Sequence, residues 1–64
     1  MKDRLQAFEL VPGDVIVLDS VCHTVINSFM SQRKDVWIIQ TNRTIFECQP
    51  EDTVDVLYTN EQKN

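Results

Sequence analysis

The chain has little of what most small-protein chemistry is built from. Its single glycine, Gly13, leaves no glycine-rich loop to cradle a phosphate. With one histidine, His23, no Ser-His-Asp arrangement stands out. Two cysteines, Cys22 and Cys48, fall short of the four or more in a secreted disulfide scaffold of this size. No Cys-x-x-Cys spacing occurs, and the two thiols with His23 are the only soft ligands, one short of a closed tetrahedral zinc site. No apolar run approaches the ~18 residues that span a bilayer, and the opening Met1-Lys2-Asp3-Arg4 carries no apolar signal-peptide core. The expected setting is the cytoplasm, with reduced thiols and no membrane. Positive charge is scarce too: six Lys and Arg against ten Asp and Glu give a net charge of -4 and a pI near 4.6. Nucleic-acid binders draw most of their affinity from phosphate contacts, so this balance counts against that class. The acids are scattered, with no run long enough to imitate a DNA backbone.

What is present fits one small globular domain of 64 residues, 42% hydrophobic and 25% charged. A domain of this size buries only about 60% of the surface of its unfolded chain. That leaves little room for a deep catalytic cleft.

The apolar residues come in short β-branched runs. Segments 15–18, 23–30, 36–40, 44–48 and 54–58 read as five strands, too short for globular helices and rich in Val, Ile, Thr and aromatics. Pro12-Gly13 has type II turn chemistry, proline presetting φ at the first corner and glycine allowing positive φ at the second. Asp19-Ser20-Val21-Cys22 is a turn, and the broken alternation at Asn27-Ser28 marks a bulge or bend. Residues 31–35 form a polar loop and 41–44 a tight hairpin, while Pro50-Glu51-Asp52-Thr53 forms one helical turn before the last strand. Residues 1–7 read as a flexible lead and 59–64 as a disordered tail. Strands spaced about ten residues apart in so short a chain favour a small barrel over a sandwich.

The order of these parts resembles the SH3-like small barrels. Those barrels often begin with a leucine and a Pro-Gly-Asp turn entering the first long strand, as Leu10 and Pro12-Gly13-Asp14 do here. They often end with a short 3₁₀ turn feeding the last strand, as Pro50-Glu51-Asp52-Thr53 does before Val54. The resemblance covers residues 8–58 and is one of fold, similar also to short barrel proteins of bacteria and their phages. It implies an all-β, five-stranded barrel. Of two RNA-binding branches, the KOW-type barrels carry a glycine where residues 19–24 have none, and the Sm-like barrels carry a first-hairpin glycine and an RNA-contacting signature near the end that this sequence lacks, so no RNA-contacting residues carry over.

Cys22-His23 invites a thiolate–imidazole reading, but adjacent strand residues point to opposite faces. The simpler expectation is a cysteine packed as a small hydrophobe and a histidine at the surface. Asp14, Asp19, Glu47, Glu51, Asp52 and Asp55 fall in turns or outward positions and read as solvated surface, Asp14 also ordering the turn after Gly13. No catalytic group, metal or cofactor is expected.

The segment from Phe29 to Arg43 stands apart, with Arg33, Lys34 and Arg43 flanking the strand that carries Trp37. A basic rim beside an exposed aromatic could grip a peptide or stack a base. The alternative is a core tryptophan between soluble loops. The apolar doublets Val25-Ile26, Ile38-Ile39 and Ile45-Phe46 leave both strand faces partly apolar. One face must be core, and the other is a candidate interface, signalled by exposure of Trp37, Phe46 or Tyr58. The first expectation is therefore a non-catalytic protein-binding module, an accessory or regulatory protein of a phage or bacterium. A nucleic-acid binder using Arg33, Lys34, Trp37 and Arg43 comes second. Self-association through an open edge or apolar face comes third.

Overall fold

The computed structural model describes residues 3–33 and 35–60. The chain is all-β: six antiparallel strands form one sheet with no α-helix among the described residues. The strands are β1 (Asp3–Gln6), β2 (Val15–Leu18), β3 (Val21–Met30), β4 (Trp37–Thr41), β5 (Ile45–Cys48) and β6 (Thr53–Tyr58). Their order in the sheet is β1-β6-β2-β3-β4-β5, so β1 and β5 are its two edges and the sheet is not closed by pairing between them.

Two expectations change here. The segment read as a flexible lead contains a strand, because Asp3–Gln6 pairs with β6 in the register Asp3↔Val56 to Gln6↔Thr53. That places Leu5 against the core, a single apolar contact too weak to announce a strand. The 3₁₀ turn also lies elsewhere. It spans Ala7–Glu9, after β1, while the residues before β6 make only a tight turn closed by Asp52 N–H to Gln49 O. The two are bound together: Ala7 N–H donates to Asp52 O at 2.7 Å and Phe8 N–H to Pro50 O at 3.1 Å.

The turns follow from residue chemistry. Asp14 N–H bonds to Val11 O, closing a four-residue turn with Gly13 at φ +98°, as Pro12-Gly13 requires. Leu18 pairs with Val21, leaving a two-residue loop in which Asp19 and Ser20 both have positive φ. This is the type I′ geometry whose twist suits a hairpin. The turn is thus narrower than expected, and Val21 and Cys22 belong to β3.

β3 is the long strand on which the sheet folds over. Its first half pairs with β2 and its second half with β4, and the register with β4 slips between Val25 and Asn27. Ile26 is the extra residue, one position earlier than the Asn27-Ser28 bend read from the sequence. The bulge bends the strand and increases its twist, so both halves present one side to a shared interior. Ala7, Leu10, Ile16, Val25, Ile39, Val54 and Val56 fill that interior, with Leu5, Leu18, Trp37, Phe46 and Cys48 packed against it. Each fully buried aliphatic side chain contributes about 1.5–3 kcal/mol relative to exposure.

Candidate protein-interaction face

Period-two alternation settles where each β3–β4–β5 side chain points. Residues directly opposite on antiparallel strands share a side. Ser28, Ile39 and Phe46 form one cross-strand row, and Met30, Trp37 and Cys48 the next. Ile39 is buried, and Trp37, Phe46 and Cys48 pack on the core, so these rows face inward. The intervening rows, Phe29–Ile38–Glu47 and Asn27–Gln40–Ile45, face outward.

Each apolar doublet is therefore split between the two sides. Val25, Ile39 and Phe46 take the interior, while Ile26, Ile38 and Ile45 take the exterior. Ile45 is 60% exposed, Ile26 51% and Phe29 42%. Phe29 lies directly opposite Ile38, and Ile45 diagonally from it. The outer side of this half of the sheet thus carries an apolar strip across three strands, bordered by Asn27, Gln40 and Glu47.

The residues expected to form the binding patch fall into three environments. Trp37 is half-buried against the core, and its indole N–H donates to Ser28 Oγ at 2.6 Å. Ser28 Oγ in turn donates to Ala7 O at 3.4 Å, so the tryptophan ties β4 through β3 to the 3₁₀ turn. Arg33 is exposed in the loop before β4. Arg43 is exposed in the turn after it, with its Nε–H bonded to Cys22 O at 3.0 Å. The two arginines flank a five-residue strand about 16 Å long, so they mark opposite ends of the hairpin and do not converge on Trp37. Lys34 lies outside the described residues. Of the three aromatics expected to signal an interface, Tyr58 is exposed, whereas Trp37 and Phe46 are turned to the core.

The Cys22-His23 expectation is inverted. Opposite Ile16 on β2, His23 is buried with 7% exposure, and Cys22, opposite Val17, is exposed. Parity decides this: Val25 faces the core, so His23 two residues earlier does too. The imidazole meets Phe46 edge-to-face with centroids 5.0 Å apart, and its Nδ1 lies 3.5 Å from Thr41 Oγ1. That hydroxyl is already occupied, donating to Thr44 O and accepting the N–H groups of Arg43 and Thr44. Cys48 is the other free thiol. Burial first, and the Asp52 carboxylate second, push its pKa above the ordinary thiol value.

Asp14 also departs from expectation. It is not a solvated turn residue but 2% exposed. One carboxylate oxygen accepts Val11 N–H at 3.0 Å and the other accepts Asn60 N–H at 2.6 Å, while the Asn60 amide donates to Pro12 O. Asp14 thereby fastens the segment after β6 to the first turn, and Asn60, read as part of a disordered tail, is held by two hydrogen bonds.

No family model, curated protein or solved structure matches this chain. Function therefore has to be read from the geometry. Among the described residues no group of three or more His, Cys, Asp or Glu is placed to hold a metal ion, and no helix is long and apolar enough to cross a membrane.

The residues that the outer side adds to the candidate site are Ile26, Phe29, Ile38 and Ile45. Their signal was the doublets, which announce a second apolar face without naming its members. The Ile26 bulge fixes the assignment, because it sets which residue of each doublet turns inward.

Proposed function

We propose that this chain is a non-catalytic protein-binding module whose contact face is the outer side of β3, β4 and β5. The observation that carries the reading is the outer apolar strip of exposed Phe29 and Ile45 around half-buried Ile38, extended by exposed Ile26. A small monomer rarely shows a contiguous apolar patch without a use for it. Arg33 and Arg43 stand at the two ends of the strip, and Glu47 lies on its edge. An apolar partner surface with acidic residues at its margins complements this arrangement. Arg33 and Arg43 thus keep a place in the proposed site as its polar rim, while Trp37 positions β4 from the inside.

An SH3-like arrangement is part of the same reading. It is supported by the order β6-β2-β3-β4-β5, in which β2 to β5 form a four-stranded meander and β6 returns to pair with β2, and by the bend in β3. The two free thiols favour a reducing cytoplasm. A bacterial or phage accessory protein remains the kind of chain this reading suits.

The test uses wild-type chain and a Phe29→Ser/Ile45→Ser variant as baits in a lysate of the source cell. Any retained protein is then re-measured with purified components. The expected result is one protein partner whose Kd rises at least tenfold in the variant, on the basis of about 1.4 kcal/mol per tenfold change. Equal retention by both baits, or retention abolished by nuclease and by moderate salt, contradicts the proposal. The latter outcome points to nucleic acid held by Arg33, Arg43 and their neighbours.

A further inference from the structure

The sheet has two edges, and they are built differently. β1 carries Asp3 and Arg4, the latter paired with Asp55 at 3.4 Å, and it ends in the 3₁₀ turn. Charge is an ordinary way of keeping an edge from pairing further. β5 reads Ile45-Phe46-Glu47-Cys48: one charge, no lysine, no proline and no bulge in its pairing with β4.

The direction of the β5 backbone groups follows from the hairpin. Thr41 N–H bonds to Thr44 O. Bonded and non-bonded pairs alternate along an antiparallel ladder, so Ile39↔Phe46 and Trp37↔Cys48 are the bonded pairs of β4 and β5. The other strand of the ladder agrees, since Ser31 N–H bonds to Val36 O, which places Phe29↔Ile38 among the bonded pairs of β3 and β4. Ile45 and Glu47 therefore turn their N–H and C=O groups away from β4, toward the open edge. Two donors and two acceptors lie there in strand spacing.

We infer that a second copy of this chain adds to this edge, β5 pairing antiparallel with β5 of the partner about a twofold axis at Phe46. This register is self-complementary in three respects. Ile45 meets the partner's Glu47 and Glu47 meets the partner's Ile45, so all four free groups on each copy form hydrogen bonds. Opposed residues lie on matching sides, with the two Phe46 side chains together on the inner side and Ile45 and Glu47 on the outer. The two Ile45 side chains become diagonal neighbours, which joins the exposed apolar strips of the copies. An axis at Glu47 sets like charges face to face, which is unfavourable. An axis at Ile45 leaves only one bonded pair, because Arg43 lies in the turn.

The hydrogen bonds of this dimer come from backbone groups at an edge, with the Ile45 contact secondary, so it can stand where the binding face proposed above fails. Sedimentation equilibrium of the full chain up to about 1 mM, where even contacts near −4 kcal/mol are populated, gives the mass. The expected value rises with concentration from 7.5 kDa toward twice that figure. Glu47→Pro removes one edge donor and no bond to β4, and its dimer Kd is expected to rise at least tenfold. A mixed sample of isotope-labelled and unlabelled chain should show an intermolecular contact between the two Phe46 Hα protons, which also decides the matter if the proline variant does not fold. A mass fixed at 7.5 kDa overturns the inference. So does a dimer that survives Glu47→Pro in a folded variant, or one that lacks the Phe46 contact.

Discussion

Gly13 combines a φ of +98° with close approach to a neighbour, since a side chain there would run into the Asn60 amide. An L-residue in that conformation costs about 1–2 kcal/mol, and the Asn60 amide must also move. Gly13→Ala is therefore expected to lower unfolding stability by at least that amount in a urea titration. Asp14 beside it accepts two backbone N–H groups inside the protein. Asp14→Ala strands both donors and is expected to cost about 2–3 kcal/mol. The same titration reads it, and amide exchange at Asn60 should accelerate. The thiols differ in accessibility: Cys22 is exposed, and Cys48 is half-buried with its pKa raised. Alkylation is expected to reach Cys22 first. Cys48 should react only at pH above the ordinary thiol range, and Asp52→Asn should bring that pH down. Because the folded-state thiol ionises later than the unfolded one, Cys48 contributes a small stability present below the ordinary thiol pKa and lost as pH rises through its raised value. Equal rates for the two cysteines at every pH contradict this assignment.

At the scale of elements, the β2–β3 hairpin carries a visible local cost. Asp19 and Ser20 both occupy the left-handed region, where Asn-Gly is the preferred pair. Replacing them with Asn-Gly is expected to raise stability by about 1 kcal/mol in thermal or urea unfolding, and no gain or a loss contradicts the turn type. The sequence disclosed β2, β4, β5, β6 and the Pro12-Gly13 turn because each is a β-branched run or a residue pair with a single conformational use. It did not disclose β1, whose only core contact is Leu5, nor the position of the 3₁₀ turn, which depends on hydrogen bonds from Ala7 and Phe8 to residues more than forty positions away. Proline in Pro50-Glu51-Asp52 suits a helical turn and a simple reverse turn equally. The candidate site was half legible for the same reason. Doublets reveal that two faces are apolar, but only the Ile26 bulge fixes which member goes inside, and a one-residue slip reverses every assignment. Trp37 illustrates it: basic neighbours in sequence suggested an exposed platform, yet its row in β4 faces Ser28 and the core.

At the scale of the whole molecule, among the described residues seven buried hydrophobic side chains form one interior, and nine large apolar side chains remain exposed. On the proposed reading, part of that exposed apolar surface serves a partner and not the fold. The strip on β3–β5 and the β5 edge adjoin, so both proposed contacts fall on one half of the sheet, while the β1 edge carries the Arg4–Asp55 ion pair. The most direct measurement of this division is the unfolding free energy of Phe29→Ser/Ile45→Ser beside that of Ile39→Ala. The account requires the outer pair to leave stability within about 0.5 kcal/mol per substitution of wild type and the core truncation to cost about 2–5 kcal/mol. A loss of several kcal/mol in the outer pair, matching Ile39→Ala, contradicts it, because Phe29 and Ile45 then belong to the interior and no apolar face is left over for a partner.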